Sequence, residues 1–165
     1  MLKKIALTLL GLLMVAGGVA LAGGPLGWWQ GQPPSDLGVK DGRLKAPSKT
    51  ANSVASQALL HPGHPMQQAA MIMPLALNGD AAATLARLRQ VIAAMPGAQV
   101  VDQRPDYLYA RFRSRWMGYV DDAEFWADPA EGVIQVRSAS RLGRKDFDIN
   151  RQRIEAIRVA LAATR

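Results

Sequence analysis

The chain contains no cysteine, only two histidines and few aromatic residues, at 6% of 165. Without cysteine it can form no disulfide, no thiolate metal site and no thiol nucleophile. It also lacks a basic stripe, because the lysines and arginines behind its net charge of +7 are scattered along its length. A nucleic-acid-binding protein would concentrate them on one face with aromatic residues between them. We therefore expect no nucleic-acid partner.

The two histidines, His61 and His64, stand beside Met66 in the sequence His-Pro-Gly-His-Pro-Met. Donors of this kind can bind copper or zinc, but an exposed turn accounts for the same residues without a metal. No histidine follows in the remaining 99 residues of the chain. The sequence therefore predicts no metal site and no cofactor.

The amino terminus has the layout of an export signal. Lys3 and Lys4 precede a charge-free run, and Ala20-Leu21-Ala22 forms an Ala-x-Ala cleavage site. The competing interpretation is an uncleaved anchor, because the charge-free run extends over residues 5–29 to a Trp pair suited to a membrane interface. Residues 1–24 are thus a signal peptide or a membrane anchor. Either predicts export to the periplasm or cell envelope, as a secreted or a membrane-anchored protein.

Residues 25–66 are rich in proline and glycine. Proline removes backbone donors and glycine raises the entropy cost of ordering, so this segment is not expected to form a regular helix or a central strand. It is predicted to be a tether or an arm that wraps around the folded domain.

Residues 67–165 show the periods of an ordinary folded domain of about 100 residues, which is large enough for one core. A first strand over 70–75 is followed by a turn, and Asp80 caps a helix that ends before Pro96-Gly97. A terminal helix is capped by Asp148 or Asn150. Short strands are predicted between the helices at 99–103, 107–114, 124–127 and 133–137. Short turns favour hairpins, so we predict an α+β fold: an antiparallel sheet of about five strands with two helices on one face.

The alternation within these strands predicts one apolar and one polar face. The side chains expected to face the helices are Leu108, Ala110, Phe112, Ile134 and Val136. The opposite face, called the polar face below, then receives Tyr107, Tyr109, Arg111, Arg113, Gln135 and Arg137, and also Glu124 and Trp126 if Phe125 points inward.

The arginines of this region are candidates for binding a ligand, because guanidinium groups hold phosphate or carboxylate bidentately beside flat aromatic walls. The candidate ligand-binding residues are Arg111, Arg113, Arg137, Arg141, Tyr109 and Trp126. The expected partner is an anionic envelope ligand or a lipid head group. The alternative is a structural lattice in which neighbouring carboxylates already neutralise the arginines, at about 0.2–1 kcal/mol per exposed pair.

The carboxylates of Asp-Asp-Ala-Glu are the candidates for catalysis, since adjacent acids raise each other's pKa and one can serve as a general acid. In a strand Asp122 and Glu124 share a side, whereas Asp121 faces away. Asp122 and Glu124 are therefore the candidate catalytic pair of a carboxylate-dependent hydrolase. The sequence leaves open whether the chain is an enzyme.

Several blocks in a fixed order resemble one uncharacterised bacterial and plastid family, domain of unknown function 1499. These blocks are Leu37-Gly38-Val39, Tyr109-Ala110-Arg111-Phe112-Arg113-Ser114, Asp121-Asp122-Ala123-Glu124-Phe125, Val136-Arg137-Ser138-Ala139-Ser140-Arg141 and Asn150-Arg151-Gln152-Arg153-Ile154-Glu155. The resemblance implies no activity, cofactor or ligand. Members of that family usually carry Pro-Cys and Asn-Cys in the arm, where this chain has Pro47-Ser48 and Asn52-Ser53. Any role of those thiols is therefore absent here.

The sequence as a whole predicts an exported cell-envelope protein of unknown activity. A non-catalytic binding or structural module with an arginine and carboxylate face is favoured, and the hydrolase is the alternative.

Overall fold

The computed structural model describes residues 1–164 and, within that range, every side chain except those of Leu2 and Ala20. The helices are α1 (Leu2–Gly23), α2 (Ala81–Ala93) and α3 (Ile149–Ala163), with a short 3-10 turn at Ala58–Leu60. The strands are β1 (Ser53–Ala55), β2 (Leu75–Ala76), β3 (Ala98–Gln103), β4 (Tyr107–Arg113), β5 (Val120–Asp128) and β6 (Val133–Ser140).

The strands form one antiparallel sheet in the order β1-β6-β5-β4-β3. The short strand β2 also pairs with β6, opposite residues 133–134, while β1 lies opposite residues 137–139. The predicted α+β fold with an antiparallel sheet is thus confirmed, with six strands where about five were expected.

Both α2 and α3 pack on one face of the sheet. Their apolar stripes, which include Leu88 and Ile92 of α2 and Ile154 of α3, are fully buried against the sheet. The five sheet residues expected to face the helices all belong to this core, which confirms the predicted register. Each such side chain contributes about 1.5–3 kcal/mol when it is fully removed from water.

The strand predicted over 70–75 is wrong, because the ladder with β6 contains only Leu75 and Ala76, and Met71 makes no more than an isolated parallel bridge with Ala55. Side chains of α3 bind the carbonyl groups that a neighbouring strand would otherwise bind. Arg151 donates to the carbonyls of residues 69 and 71, and Arg158 donates to those of residues 73 and 74. Pro74 has no backbone donor, which also prevents a longer ladder.

The start of α3 differs from the prediction as well. Asp148 occupies the cap position without a side-chain cap bond, and Asn150 is buried inside the protein. The carboxylate of Asp146 accepts the backbone N–H groups of Asp148 and Asn150 instead, at 3.2 and 3.0 Å. Asp80 does cap α2, accepting from the N–H of Ala83 at 2.8 Å.

Helix α1 is long and apolar enough to cross a membrane: its candidate span is Lys3–Gly23, with mean hydropathy 2.4, and the apolar 18-residue stretch within it is not buried in the protein. Its 22 residues rise about 33 Å. The chain leaving α1 packs at once against the turn between β4 and β5, where Arg113 donates to the carbonyl of Gly24 at 2.6 Å. A Cβ on Gly24 would collide with the carbonyl of Trp116, so only glycine fits this junction.

The junction defines two ends of the sheet. We call the end formed by residues 113–120 and 140–149 the proximal end, because α1 leaves the domain there. The opposite end, formed by the turns at 103–107 and 128–133, is the distal end.

Candidate functional site

The polar face of the sheet carries two parallel sets of one tyrosine, one carboxylate and one arginine. In the first set the Oε1 atom of Glu124 accepts from the Tyr107 hydroxyl at 2.9 Å, and Arg137 lies 3.6 Å from Oε2. In the second, Asp122 accepts from the Tyr109 hydroxyl at 2.5 Å. Strand alternation on β4, β5 and β6 produces this repeat, with Glu124 opposite both Tyr109 and Arg137 in the register.

Arg141 holds Asp122 bidentately, with its Nε 2.8 Å from Oδ2 and its Nη2 2.7 Å from Oδ1. This hydrogen bonding raises the pKa of the Arg141 guanidinium. Burial and the bond to Asp122 raise the pKa of Tyr109 to about 12, which keeps its hydroxyl protonated. The second set is therefore a closed, hydrogen-bonded charge pair.

Glu124 is completely buried, and its desolvation raises its pKa despite the nearby donors. Burial also lowers the pKa of Arg137. Among residues 1–164, the Oε2 atom of Glu124 finds no hydrogen-bond donor, because the guanidinium of Arg137 stays 3.6 Å away. This first set is thus a buried ion pair in which only one of the two carboxylate oxygens of Glu124 is hydrogen-bonded.

The proline- and glycine-rich arm covers these groups. The N–H of Gly38 donates to Glu124 at 2.7 Å, and the Nε of Arg137 donates to the carbonyl of Ala46 at 3.1 Å. Gln57 fixes the arm to itself, accepting from the N–H of Leu44 at 2.9 Å. The arm, predicted as a tether or a wrapping segment, wraps the polar face, and strand β1 extends it along the edge of the sheet.

The other predicted site residues are dispersed. Arg111 is half-buried and donates to the side chain of Gln99 at 3.0 Å, whereas Arg113 is exposed and engaged with Gly24. Trp126 is half-buried opposite Tyr107 in the register. The sheet thus unites Tyr109, Asp122 and Arg141, and separately Glu124 and Arg137, but forms no single open arginine site.

Asp121 faces away from Asp122 as strand geometry requires. It pairs with Arg153 of α3, whose guanidinium stacks 4.5 Å from the centre of the Phe112 ring. Within residues 1–164, no group of three or more His, Asp or Glu side chains is arranged to hold a metal ion. His64 accepts the N–H of Met66 at 3.2 Å, in the turn expected there.

An open cleft of about 1190 Å³ lies at the proximal end, where the first turns of α3 face the turn between β4 and β5. Its lining is mainly apolar and includes Trp29, Phe112, Tyr119, Leu142, Phe147 and Ile149. Four cations also line it, Arg113, Arg115, Lys145 and Arg153, together with the carboxylates of Asp121 and Asp146. The cleft is larger than the pocket of about 480 Å³ that the arm forms around Asp36, Arg43 and His61.

Sequence reasoning missed this cleft, because its walls come from four separate segments. One local signal was present: Phe147 and Ile149 alternate with acids in a stretch that is otherwise strongly polar. Neither belongs to the core, and both are exposed.

The fold and its surroundings define a class: a small α+β sheet domain, wrapped by its own arm and joined without a spacer to an apolar helix of membrane-spanning length. Residues 35–161 match the model of the family described as protein of unknown function (DUF1499), and the chain belongs to that family. Searches of the curated proteins and of the solved structures found no match.

Proposed function

We propose that the protein is an exported, membrane-anchored binding module without catalytic activity, whose proximal cleft holds an anionic phospholipid. The observation that carries the proposal is the cleft itself, which combines aromatic and aliphatic walls with four cations. Two of these, Arg113 and Arg153, already donate to Gly24 and Asp121. Ligand sites are typically clefts of about 300–1000 Å³ with apolar walls and a few polar groups, so this one is large enough for a chain-like ligand.

The chemistry of the lining favours an amphiphile. Each methylene of an acyl chain contributes about 0.8 kcal/mol when buried against apolar walls such as Phe112 and Tyr119. Arg115 and Lys145 offer charge-assisted hydrogen bonds to a phosphate. Neither takes part in an ion pair among the described residues, whereas Arg137 and Arg141 are already committed to carboxylates.

Retention of α1 as an anchor is supported by its junction with the domain. Ala22, the last residue of the Ala-x-Ala sequence, is followed directly by Gly23 and Gly24, which are buried. Lys3 and Lys4 at the opposite end of α1 favour an orientation with the amino terminus inside and the domain outside. Intact mass of the protein extracted from membranes tests this: a retained anchor gives 17.8 kDa, and cleavage after Ala22 gives a chain 22 residues shorter.

The surroundings of Asp122 and Glu124, the candidate catalytic pair, support the absence of catalysis. A general base must reach its substrate directly or through one water. Glu124 is completely buried beneath the arm, and both oxygens of Asp122 are occupied by Arg141. A hydrolase would need the arm to leave the polar face before either carboxylate met a substrate.

Native mass spectrometry of the full chain, released from detergent micelles, tests the ligand. We expect a one-to-one adduct with added phosphatidylglycerol, less with phosphatidylcholine, and none with inorganic phosphate. Ala156→Trp, which fills the cleft from α3, should remove the adduct. Ala130→Trp at the exposed distal turn is the matched control and should keep it.

Circular dichroism melting of both variants establishes that they fold. Equal phosphatidylglycerol adducts on the wild type and on folded Ala156→Trp would refute the cleft as the binding site. An adduct formed equally with phosphatidylcholine would refute selection for the anionic head group.

A further inference from the structure

We infer that the proximal end of the domain docks into the surface of the membrane that α1 spans, with Phe147 inserted among the lipids and the cleft opening toward the bilayer. This inference rests on the retention of α1 proposed above. The partner is the anionic lipid surface itself, which is distinct from the single lipid molecule held in the cleft.

The first argument is the exposure of large apolar side chains around the mouth of the cleft. Phe147 is 83% exposed, Trp116 69% and Ile149 51%. All three lie at the proximal end, on the two segments that border the exit of α1. Aromatic and aliphatic side chains arranged beside a membrane anchor gain free energy when they enter the interfacial layer.

The second argument is the backbone at Phe147. Phe147 and Asp148 are consecutive non-glycine residues with φ of 54° and 64°, in the left-handed region. This conformation costs roughly 1–2 kcal/mol at Phe147, whereas aspartate adopts it more readily. The carboxylate of Asp146 holds this corner by accepting from the N–H groups of Asp148 and Asn150.

The strained corner directs Phe147 away from the protein. Its exposed ring recovers none of that cost by packing in water. Strain of this kind persists where a function requires the geometry, and burial of the ring in lipid supplies such a function.

The third argument is the distribution of charge. The exposed residues of the proximal segments 113–120 and 140–149 include four cations, Arg113, Arg115, Arg144 and Lys145, and one carboxylate, Asp148. The exposed residues of the distal turns 103–107 and 128–133 include one cation, Arg104, and two carboxylates, Asp106 and Glu131. A cation near an anionic lipid surface contributes about 1 kcal/mol of attraction. This difference in charge between the two ends favours the orientation in which the proximal end faces the membrane.

The fourth argument is distance along the chain. After leaving α1, the chain places Trp29 against Tyr119, with ring centres 6.4 Å apart. Gly31 then lies against Leu142, whose Cγ would be 3.1 Å from a Cβ at residue 31. The eighth residue after α1, Gly31, thus already contacts the segment 140–149 that carries Phe147. The corner cannot move far from the membrane surface while this junction is intact.

The cysteine-free chain allows a direct test with single cysteine substitutions. Full-length Phe147→Cys and Ala130→Cys, each labelled with an environment-sensitive nitrobenzoxadiazole group, are reconstituted in vesicles of equal parts phosphatidylcholine and phosphatidylglycerol. A nitroxide on the lipid acyl chain near the head group reports insertion. Interfacial segments enter about 5–10 Å into the boundary between the lipid head groups and the acyl chains. We therefore expect quenching of the label at residue 147 to be at least about threefold stronger than at residue 130.

A second pair of proteins measures the contribution of the Phe147 side chain. The label is placed at Arg144→Cys, with Phe147 present or replaced by Gly. Phe147→Gly relieves the left-handed strain and removes no core packing, so the domain stays folded, as melting followed by circular dichroism verifies. We expect this substitution to reduce quenching at residue 144 by about half or more.

Equal quenching at residues 147 and 130, or quenching at residue 144 that is unchanged by Phe147→Gly, would overturn the docking. Failure here is separable from failure of the proposed ligand, because the phosphatidylglycerol adduct is measured in detergent without a bilayer. A persistent adduct without quenching rejects only the docking, and quenching without an adduct rejects only the lipid-filled cleft.

Discussion

Replacing Arg137 by methionine should destabilise the protein severely at neutral pH. The arginine is 4% exposed and lies 3.6 Å from a carboxylate that is completely buried. Methionine has a similar length but no charge, so the variant leaves Glu124 buried without its cation. Removing one partner of a buried ion pair costs about 3–5 kcal/mol, whereas an exposed pair is worth about 0–1 kcal/mol. For a domain with a total stability of about 5–15 kcal/mol, the loss is a large fraction.

The loss should depend on pH in a defined direction. Burial already raises the pKa of Glu124, and losing Arg137 raises that pKa further. The destabilisation is therefore complete above the folded-state pKa and decreases as the pH falls through it, since a protonated carboxyl group needs no cation. Replacing Glu124 by glutamine in the same chain should recover part of the loss at neutral pH.

Urea unfolding of the full chain in detergent, followed by circular dichroism, measures the effect. With a urea m value of about 1–3 kcal/mol per molar, a loss of about 3 kcal/mol shifts the midpoint by at least about 1 M. Lys45→Met, which removes an exposed pair with Asp36, is the control and should shift the midpoint far less. A loss below about 1 kcal/mol for Arg137→Met, or one that persists unchanged at acidic pH, would refute the buried-pair explanation.

Three further predictions follow from the same contacts. The difference in unfolding free energy between the wild type and Glu124→Gln should fall as the pH rises from about 4, because a raised folded-state pKa favours folding only while the carboxyl is protonated. Asn150→Ala should cost about 2–4 kcal/mol by thermal melting, because the buried Ser138 hydroxyl loses its acceptor and the carbonyl of Asn52 loses one of its donors. Gly118→Ala should destabilise the α1 junction, because its Cβ would lie 2.8 Å from the carbonyl of Gly24.

Each of these three predictions has a control variant or an outcome that would contradict it. For Glu124, a difference that rises with pH would mean that Arg137 depresses the pKa of the carboxyl instead. Gln152→Ala, on the exposed side of α3 beside Asn150, should stay within about 0.5 kcal/mol of wild type. Gly132→Ala has a similar φ of 65° but open space around its Cβ, so an equal loss at residues 118 and 132 would eliminate the junction as the cause.

The parts of the fold that the sequence predicted depend on local periods. Alternation from Tyr107 to Arg113 defined the faces of β4, and the helical spacing of Leu85, Leu88 and Ile92 defined α2. Both patterns arise because a regular helix or strand buries one of its sides, and residues close together in the sequence are enough to show that period. The strand predicted over 70–75 failed because arginines about 80 residues away bind its carbonyls.

The candidate site was harder to predict, because the carboxylates of β5 pair with arginines that are distant in the sequence. Asp122 was predicted to act with Glu124 in catalysis, but it pairs with Arg141, which is 19 residues away. Asp121 faces away, as predicted, and pairs with Arg153, which is 32 residues away. The residue types and their alternation on the polar face were visible in the sequence. A wrapping arm was one of the two predictions for residues 25–66, but the sequence did not indicate that the arm covers this face, since the contact of Gly38 with Glu124 has no local pattern.

The position of the arm has a consequence for the time course of folding. Its bonds to Glu124 and Arg137 span 86 and 91 residues, and the arm is synthesised before either strand that it covers. Contacts of such high sequence separation form late, because a long loop must close first. The newly made chain therefore holds its arm unpaired until β6 has emerged, and folding ends as the first part of the domain to be made closes over the last strands to arrive.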